Sequence, residues 1–380
     1  MTRDSLPMGP VSAGERSTAL DAIRGIATLG ILPMNAVTFG LTAAAYDNIS
    51  ADGIRQPLDW IVGVFTMIFV DQKMMALFAM LFGVSTVVFA DRAKARGRRI
   101  VWLSLWRFVL LLGIGIAHSR LWEGDILVLY ALCAPLVLLA RKLPVVVLIT
   151  TGITLSLAGS FSAPVFQSRA GSDPSRLGEY WFADGEESSA AVLGWLYLDS
   201  AGRALGFMLV GVALYRLGIA QGQRGDSYYR RMMWWGLGAG TAITTMGIVL
   251  RIVSDWSPSY ALIGQVPTGV ATMPMALGYM ALIIQWNRAG GRHSQHFRQV
   301  GRMALTNYLT QTILGVAMLT WWWGDANLSR TMIGGWILGV WALQLWWSTW
   351  WLTRFRHGPF EWAWRCATYR SWQPRRTTTP

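Results

Sequence analysis

The feature that most constrains the fold of this chain is a series of apolar runs, each long enough to cross a lipid bilayer. A transmembrane helix needs about 20 mostly apolar residues. We expect about ten spans, at residues 22–40, 72–90, 100–117, 126–140, 145–165, 196–217, 233–253, 261–286, 300–322 and 332–352. The predicted fold class is an all-α, polytopic transmembrane helical bundle, which forms a single integral membrane domain over residues 1–380.

A further apolar run, at residues 58–70, departs from this pattern because it is short and lies directly before the span at 72–90. A single helix through both segments would be about 50 Å long, whereas the hydrocarbon core is about 30 Å thick. We therefore predict a short interfacial or re-entrant helix on the outer side of the membrane.

The net charge of +13 suggests nucleic acid as a partner, because basic patches attract phosphates. Most Lys and Arg residues, however, fall in alternate connections: the N-terminus, residues 92–99, 141–142, 216–231 and 288–302, and the C-terminus. This is the positive-inside pattern, which sets orientation during membrane insertion. We expect both termini in the cytoplasm and no nucleic-acid partner.

Two connections stand out by composition. Residues 166–195 are rich in Gly, Ser and acidic residues, and they are predicted to form a long outer loop, a kind that often has a function of its own. Residues 353–380 are predicted to form a basic cytoplasmic tail. Cys133 and Cys366 lie far apart without clustered ligands, so no metal site is expected.

The strongest candidate site is the connection between the third and fourth spans. His118 and Asp125 are seven residues apart, and the intervening Gly124 favours a turn that brings them together; Trp122 and Glu123 lie between them. A histidine can take a proton from a hydroxyl or amine near neutral pH, and a carboxylate orients the imidazole. The alternative is an interfacial histidine that caps a helix end.

Other polar residues in or beside spans are candidates for lining a substrate cavity, because ionisable groups in a membrane are costly and often functional. They are Asp71, Lys73, Asn307 and Gln311, and Trp122 and Glu123 beside His118 are assigned to the same cavity. Each also has a structural explanation. Lys73 can extend its charge to the outer interface, and the two amides can bond neighbouring helices. Asp199 and Arg203 have the four-residue spacing of a helical ion pair.

A repeated spacing suggests where a phosphate would bind. Arg24 and Asn35 are eleven residues apart on the first span, and Arg107 and His118 repeat that spacing on the third. Eleven residues is about three helical turns, roughly 16 Å. A phosphate-bearing molecule from the cytoplasm would meet the arginines, with its far end near His118. The alternative is that Arg24 flanks its span and Arg107 has a structural partner.

Motifs along nearly the whole chain resemble the YeiB family of bacterial polytopic membrane proteins. They are Leu20-Asp21-Ala22-Ile23-Arg24-Gly25 with Asn35, Lys73 with Leu81-Phe82-Gly83, His118 through Tyr130, Gly206-Phe207-Met208-Leu209-Val210-Gly211, Gly301 through Gln311, and Gly358-Pro359-Phe360-Glu361-Trp362. The family is distantly similar to the transmembrane acyltransferases, which include heparan-α-glucosaminide N-acetyltransferase. The resemblance implies a multi-pass protein of the bacterial inner membrane.

The resemblance also implies an activity, the transfer of an acyl group from cytoplasmic acyl-CoA to a hydroxyl or amine on the outer side. Arg24, Arg107 and Arg302 would hold the donor as the co-substrate. Many of the acyltransferases have histidine where this chain has Asn35. We therefore predict His118 as the base, Asp125 as its orienting partner, and Asn35 as a donor to the developing oxyanion.

Two other functions remain open. Asp71, Lys73, His118 and Asp125 would also suit the proton relay of a transporter or exporter. A membrane scaffold or sensor would account for the 22 Trp residues, but it leaves the His118 cluster without a role. Expected partners are membrane lipid and a small-molecule, sugar or lipid acceptor, with a homodimer left open.

The charge pattern makes a prediction about topology. Cysteines introduced in residues 92–99 should be shielded from membrane-impermeant reagents in intact cells, whereas cysteines introduced in the predicted outer loop at residues 166–195 should react. Labelling of the first set in intact cells would refute the orientation.

Overall fold

The computed structural model describes residues 17–95, 97, 100–324 and 326–376, and the chain is helical in nearly all of these ranges. The basic N-terminus, three arginines of the 92–99 connection (Arg96, Arg98 and Arg99) and the last four residues of the predicted tail lie outside the described residues. In the described ranges, the only extended pairing is an isolated bridge between Phe355 and Arg376. The predicted all-α fold class is confirmed.

The helices follow one another with short connections. They are α1 (Thr18–Gly40), α2 (Pro57–Phe69), α3 (Lys73–Ala95), α4 (Ile100–Ser119), α5 (Leu127–Ala140), α6 (Val145–Ser156), α7 (Ala158–Ala170), α8 (Pro174–Leu177), α9 (Ala190–Arg216), α10 (Asp226–Val253), α11 (Val266–Ala289), α12 (Arg292–Arg302), α13 (Ala304–Gly315), α14 (Arg330–Arg354) and α15 (Pro359–Tyr369). A π-helical segment, Val316–Trp322, continues α13.

Seven helical stretches of the described chain are long and apolar enough to cross a membrane. They are Thr18–Gly40, Pro57–Ala95, Ile100–Ser119, Val145–Ala170, Ala190–Arg216, Asp226–Val253 and Ile263–Ala289. The other three predicted spans are α5, which has 14 residues, α13 with its π-helical continuation, and α14, none of which is among the seven. The membrane fold is therefore supported, and the count of ten stays a prediction.

The short helix predicted at residues 58–70 is present as α2. Gln56 and Asp59 form a capping box at its start, with Pro57 at the first helical position, where its missing N–H is not needed. Gln72 separates α2 from α3 with a left-handed backbone (φ 60°). The Gln72 side-chain amide donates to the Tyr46 hydroxyl at 3.2 Å, which stabilises the break.

The predicted outer loop over residues 166–195 was too long. Helix α7 continues to Ala170. The Gln167 side-chain nitrogen donates to the Gly171 carbonyl at the end of this helix, and the Gln167 side-chain oxygen accepts from the Leu262 N–H. Helix α9 begins at Ala190, so the irregular segment covers residues 171–189 and contains two short helical turns. The span predicted at 145–165 consists of two helices, α6 and α7, that meet at Leu157.

The residues predicted as a basic tail include α15, which folds back on the bundle. The Trp106 indole N–H on α4 donates to the Ala367 carbonyl at 3.0 Å, and the Glu361 carboxylate accepts from the Thr306 hydroxyl at 2.5 Å. Aromatic and polar side chains of the tail therefore pack on α4 and α13. The side of the membrane on which it lies stays a prediction.

Helices α3 and α9 pack backbone to backbone near the centre of the bundle. A Cβ added at Gly83 would lie 2.2 Å from the Met208 carbonyl oxygen, and one added at Gly211 would lie 2.1 Å from the Met80 carbonyl oxygen. Small residues allow such close approach between helices in a membrane, where packing rather than the hydrophobic effect drives association. Both glycines belong to the motifs identified in the sequence.

Alanine at either crossing glycine should force the two helices apart. We expect Gly83→Ala and Gly211→Ala each to destabilise the protein by about 1–3 kcal/mol, the usual cost of overpacking. Gly238→Ala on α10 is the matched control, because a Cβ there meets nothing within 4 Å. Thermal unfolding of purified protein in detergent measures all three, and equal melting temperatures would contradict the proposed crossing.

Candidate functional site

The structure brings His118 and Asp125 into direct contact. His118 lies in the last turn of α4 and Asp125 lies just before α5, and Nδ1 is 2.7 Å from Oδ1. The other carboxylate oxygen, Oδ2, accepts the Val128 backbone N–H at 2.9 Å and so caps the start of α5. Gly124 permits the turn, since a Cβ there would lie 2.1 Å from the Trp122 ring.

The contact leaves the second imidazole nitrogen of His118 available. An ionised carboxylate only accepts hydrogen bonds, so Nδ1 carries the hydrogen and Nε2 is an acceptor when the ring is neutral. Nε2 is buried and has no hydrogen-bond partner among the described residues. Its ring lies 5.2 Å from the Tyr308 ring and 6.2 Å from the Trp122 ring, measured between centroids.

Two tyrosines were not assigned a role from the sequence: Tyr308, whose ring lies beside His118, and Tyr130, which lies within electrostatic range of Tyr308. The Tyr308 hydroxyl lies within electrostatic range of Asp125 and Tyr130 and near the Ile126 backbone. The Tyr130 hydroxyl is buried, with no bonding partner in the described ranges. Both residues lie inside motifs quoted above. The sequence could have identified both tyrosines, because a phenol hydroxyl within an apolar span needs a hydrogen-bond partner.

Helix α1 borders the same site through Trp122. The Trp122 indole N–H donates to the Thr38 hydroxyl at 3.2 Å, and its ring lies 5.0 Å from the Phe39 ring. The Thr38 hydroxyl in turn donates to the Asn35 carbonyl at 2.9 Å, so Asn35 lies one turn further along α1. The role of Asn35 as an oxyanion donor stays a prediction. Glu123 is exposed at the surface of the α4–α5 turn.

Asn307 and Gln311 are fully buried, and their amides join helices. Asn307 donates to the Ser348 hydroxyl at 3.0 Å and accepts from the Trp347 indole at 2.9 Å. Gln311 donates to the Gln344 side chain at 2.8 Å and to the Thr28 carbonyl at 3.2 Å. These bonds hold α13 against α14 and α1, which is the structural explanation offered for them above.

Asp71 and Lys73, predicted to share a cavity with His118, have different neighbours. Lys73 is fully buried and donates to the Met67 carbonyl at 2.7 Å. Asp71 lies within electrostatic range of Lys73, Arg203 and Arg251. None of these contacts involves His118. Arg251 was not among the candidate residues identified from the sequence.

We use the name Asp71 cluster for a set of six charged residues: Asp47, Asp71, Lys73, Asp199, Arg203 and Arg251. The helical ion pair predicted between Asp199 and Arg203 is confirmed at 2.7 Å. Burial raises the pKa of Asp47, in the α1–α2 connection, to about 7, and the neighbouring Asp71 contributes to the same shift.

Two of the three arginines predicted to bind a donor lie toward the other ends of α1 and α4, and the third, Arg302, ends α12. The Arg107 guanidinium lies between the Phe89 and Trp364 rings, 4.4 and 4.3 Å from their centroids. Arg24 donates to the Ser85 hydroxyl at 3.0 Å and lies within electrostatic range of Arg107.

Arg302 has partners of its own. It donates to the Gln299 amide oxygen at 2.9 Å and to the Arg356 carbonyl at 3.3 Å. Its place in a donor site stays a prediction. In the part of the chain that the structure describes, no group of three or more His, Cys, Asp and Glu side chains is arranged to hold a metal ion.

The contact between His118 and Asp125 should also stabilise the protein. Asp125→Ala leaves a buried ring nitrogen without its partner and removes the cap of α5. We expect a loss of about 1–3 kcal/mol in the free energy of unfolding. Glu123→Ala, in the same turn but exposed, should change the melting temperature little. Equal losses for the two variants would contradict the proposed geometry.

Comparison with known proteins places this architecture in a family. Residues 214–371 match the family described as "Protein of unknown function (DUF418)". The chain is 33% identical over 387 residues to "Uncharacterized protein YeiB" of Escherichia coli (strain K12), with 95% of this chain and 98% of that protein covered. It is 29% identical over 406 residues to "Uncharacterized protein YxaH" of Bacillus subtilis (strain 168), with 96% and 97% covered. The chain therefore belongs to the YeiB-like family of membrane proteins.

Proposed function

We propose that the protein is a transmembrane acyltransferase of the bacterial inner membrane, with both termini in the cytoplasm. It would move an acyl group from cytoplasmic acyl-CoA to a hydroxyl or amine acceptor on the outer side. The observation that carries the proposal is the buried His118–Asp125 pair, in which Nδ1 is held at 2.7 Å and Nε2 has no partner among the described residues. A histidine oriented in this way is the usual arrangement of a general base.

The chemistry follows from that geometry. His118 Nε2 takes the proton of the acceptor O–H or N–H while the acceptor atom attacks the thioester carbonyl carbon. The new C–O or C–N bond forms and the C–S bond breaks. The proton held at Nε2 then passes to the leaving sulfur, which departs as the CoA thiol. Asp125 stays ionised, holds the tautomer, and stabilises the imidazolium that forms during the transfer.

The developing oxyanion needs donors that are already in place, because preorganised hydrogen bonds stabilise charge most in a water-poor site. The Tyr308 hydroxyl lies close enough to the pair to act as one. Asn35 is the second candidate, because its carbonyl accepts from the Thr38 hydroxyl, which in turn accepts from the Trp122 indole.

The donor end of the site is supported by the arginines on α1 and α4. Arg24 and Arg365 each lie within electrostatic range of Arg107, so an anion bound beside Arg107 would relieve this repulsion. Guanidinium groups suit phosphate because they offer planar, paired donors. Arg107 and His118 are eleven residues apart on α4, roughly 16 Å. The pantetheine arm of CoA would run along that distance.

A proton-coupled transporter or exporter is the second candidate, and the Asp71 cluster is the observation that favours it. Charged side chains within a membrane bundle often mark a substrate or proton pathway. The break between α2 and α3 next to Asp71 adds to this, because interrupted helices often line binding sites in transporters.

A direct test of acyl transfer uses the full chain in lipid nanodiscs with acetyl-CoA and a panel of amino sugars and hydroxylated glycolipids. Release of free CoA thiol measures the rate. We expect His118→Asn to lower the rate about 10²–10⁴-fold, the usual effect of removing a general base, with acetyl-CoA binding retained. Arg107→Gln should instead raise KM for acetyl-CoA more than it lowers kcat.

His293→Asn is the matched control, because His293 is exposed on α12 and far from any assigned role. Its rate should equal that of the unchanged protein. A folded protein that does not bind acetyl-CoA at millimolar concentration would overturn the acyltransferase proposal. pH-dependent solute flux in proteoliposomes, abolished by Asp71→Asn, would then favour transport.

A further inference from the structure

The Asp71 cluster differs from an ordinary network of ion pairs in its composition and depth. It combines three carboxylates and three cations, so that its formal charges cancel. Lys73, Asp71, Arg203 and Arg251 are each at least nine-tenths buried, and they come from the α2–α3 junction, α9 and α10. Isolated charges are costly to bury, and native proteins keep them paired.

The pairing in this cluster is incomplete. Arg203 Nε bonds Asp199 Oδ2, while the Arg251 guanidinium donates to two backbone carbonyls, those of Gly264 and Asp47. Asp71 lies within electrostatic range of all three cations, yet across the described ranges it makes no direct ion pair with any of them. The Asp71 carboxylate is thus held near three cations without pairing directly with any of them.

Several charged groups of the cluster consequently lack a hydrogen-bond partner. Among described atoms, the unpartnered donors are Arg203 Nη1 and Arg251 Nη2, and the unpartnered acceptors are Asp71 Oδ1 and Asp199 Oδ1. Native structures leave few buried polar atoms unsatisfied, and each such atom requires an explanation. Here, donors and acceptors of opposite charge remain unsatisfied in the same cluster.

We propose that the Asp71 cluster is a second binding site, separate from the His118 site, for a small zwitterion that carries an ammonium group and an acidic group. The two guanidinium nitrogens take the carboxylate or phosphate, and Asp71 with Asp199 takes the ammonium. A zwitterion adds no net charge to a buried site that already holds groups of both signs, whereas an anion or a cation alone would.

Connections between helices lie next to this site, and we expect a ligand to reach it from their side of the bundle. The Gln265 side-chain amide donates to Asp47 at 2.5 Å and lies 3.4 Å from the Tyr180 hydroxyl. Tyr180 belongs to the irregular segment at residues 171–189 and lies within electrostatic range of Asp47 and Arg251. The proposal does not depend on acyl transfer.

The experiment measures the melting temperature of the full chain and the binding of small probes by calorimetry. The zwitterionic probes are L-alanine and O-phosphoethanolamine, and the probes with one charge are propionate and ethylamine. We expect the zwitterions to bind and raise the melting temperature at millimolar concentration, with the singly charged probes binding at least about tenfold more weakly because each leaves one set of groups unsatisfied. This comparison needs no variant.

Variants locate the site. Asp71→Asn should weaken binding of the zwitterion about tenfold to a hundredfold, through loss of a charge-assisted bond. Asp173→Asn is the control, because Asp173 is exposed in the irregular segment at residues 171–189, and it should leave binding unchanged. His118→Asn should also leave it unchanged, which separates this site from the proposed catalytic one. Equal binding by Asp71→Asn and the unchanged protein would overturn the assignment.

The same ligand chemistry could come from a lipid headgroup. Nanodiscs of phosphatidylethanolamine and of phosphatidylglycerol distinguish the two sources. Stabilisation by phosphatidylethanolamine that depends on Asp71, without binding of the free probes, identifies a headgroup site. The proposal is wrong if neither the free zwitterions nor phosphatidylethanolamine stabilises the protein, or if propionate and ethylamine bind as well as the zwitterions.

Discussion

Between α3 and α9 the two backbones touch, with Gly83 against the Met208 carbonyl and Gly211 against the Met80 carbonyl. Lys73 precedes Gly83 by ten residues and Arg203 precedes Gly211 by eight, about 15 and 12 Å along their helices. The crossing therefore places these two cations close together, with Asp71 in range of both. Lipid-facing helices gain little from apolar contact, so close packing of this kind sets their relative position.

The His118 site depends on a different constraint, which is the short turn between α4 and α5. His118 and Asp125 are seven residues apart, so their side chains meet only if the chain turns tightly between them. Gly124 allows this turn, because it lies against the Trp122 ring where a side chain would not fit. Asp125 then serves two groups, the His118 ring and the Val128 N–H. The Asp125 carboxylate therefore both caps the start of α5 and orients the His118 imidazole.

The two polar sites use burial in opposite ways. At His118 a single pair is complete and one nitrogen remains available, which suits proton transfer. In the Asp71 cluster, charges of both signs remain only partly paired, which suits the binding of a ligand with both signs. Asn307 provides the contrast, since both groups of its amide bond neighbouring side chains and its burial is explained by helix packing. Burial of a polar residue in this protein therefore identifies a functional site only when its partners are known.

The all-α membrane fold, the short helix before α3 and the contact of His118 with Asp125 followed from the sequence, because each depends on residues close together in the chain. Run length indicates a span and also the short helix before α3, and Gly124 indicates a turn. The same holds for the ion pair of Asp199 and Arg203, which are one helical turn apart. Local spacing is sufficient in all these cases. Only the tertiary structure placed Tyr308 beside His118 and drew Arg251 to Asp71. These contacts join residues far apart in the sequence, and helix packing, which no local pattern encodes, decides which faces meet.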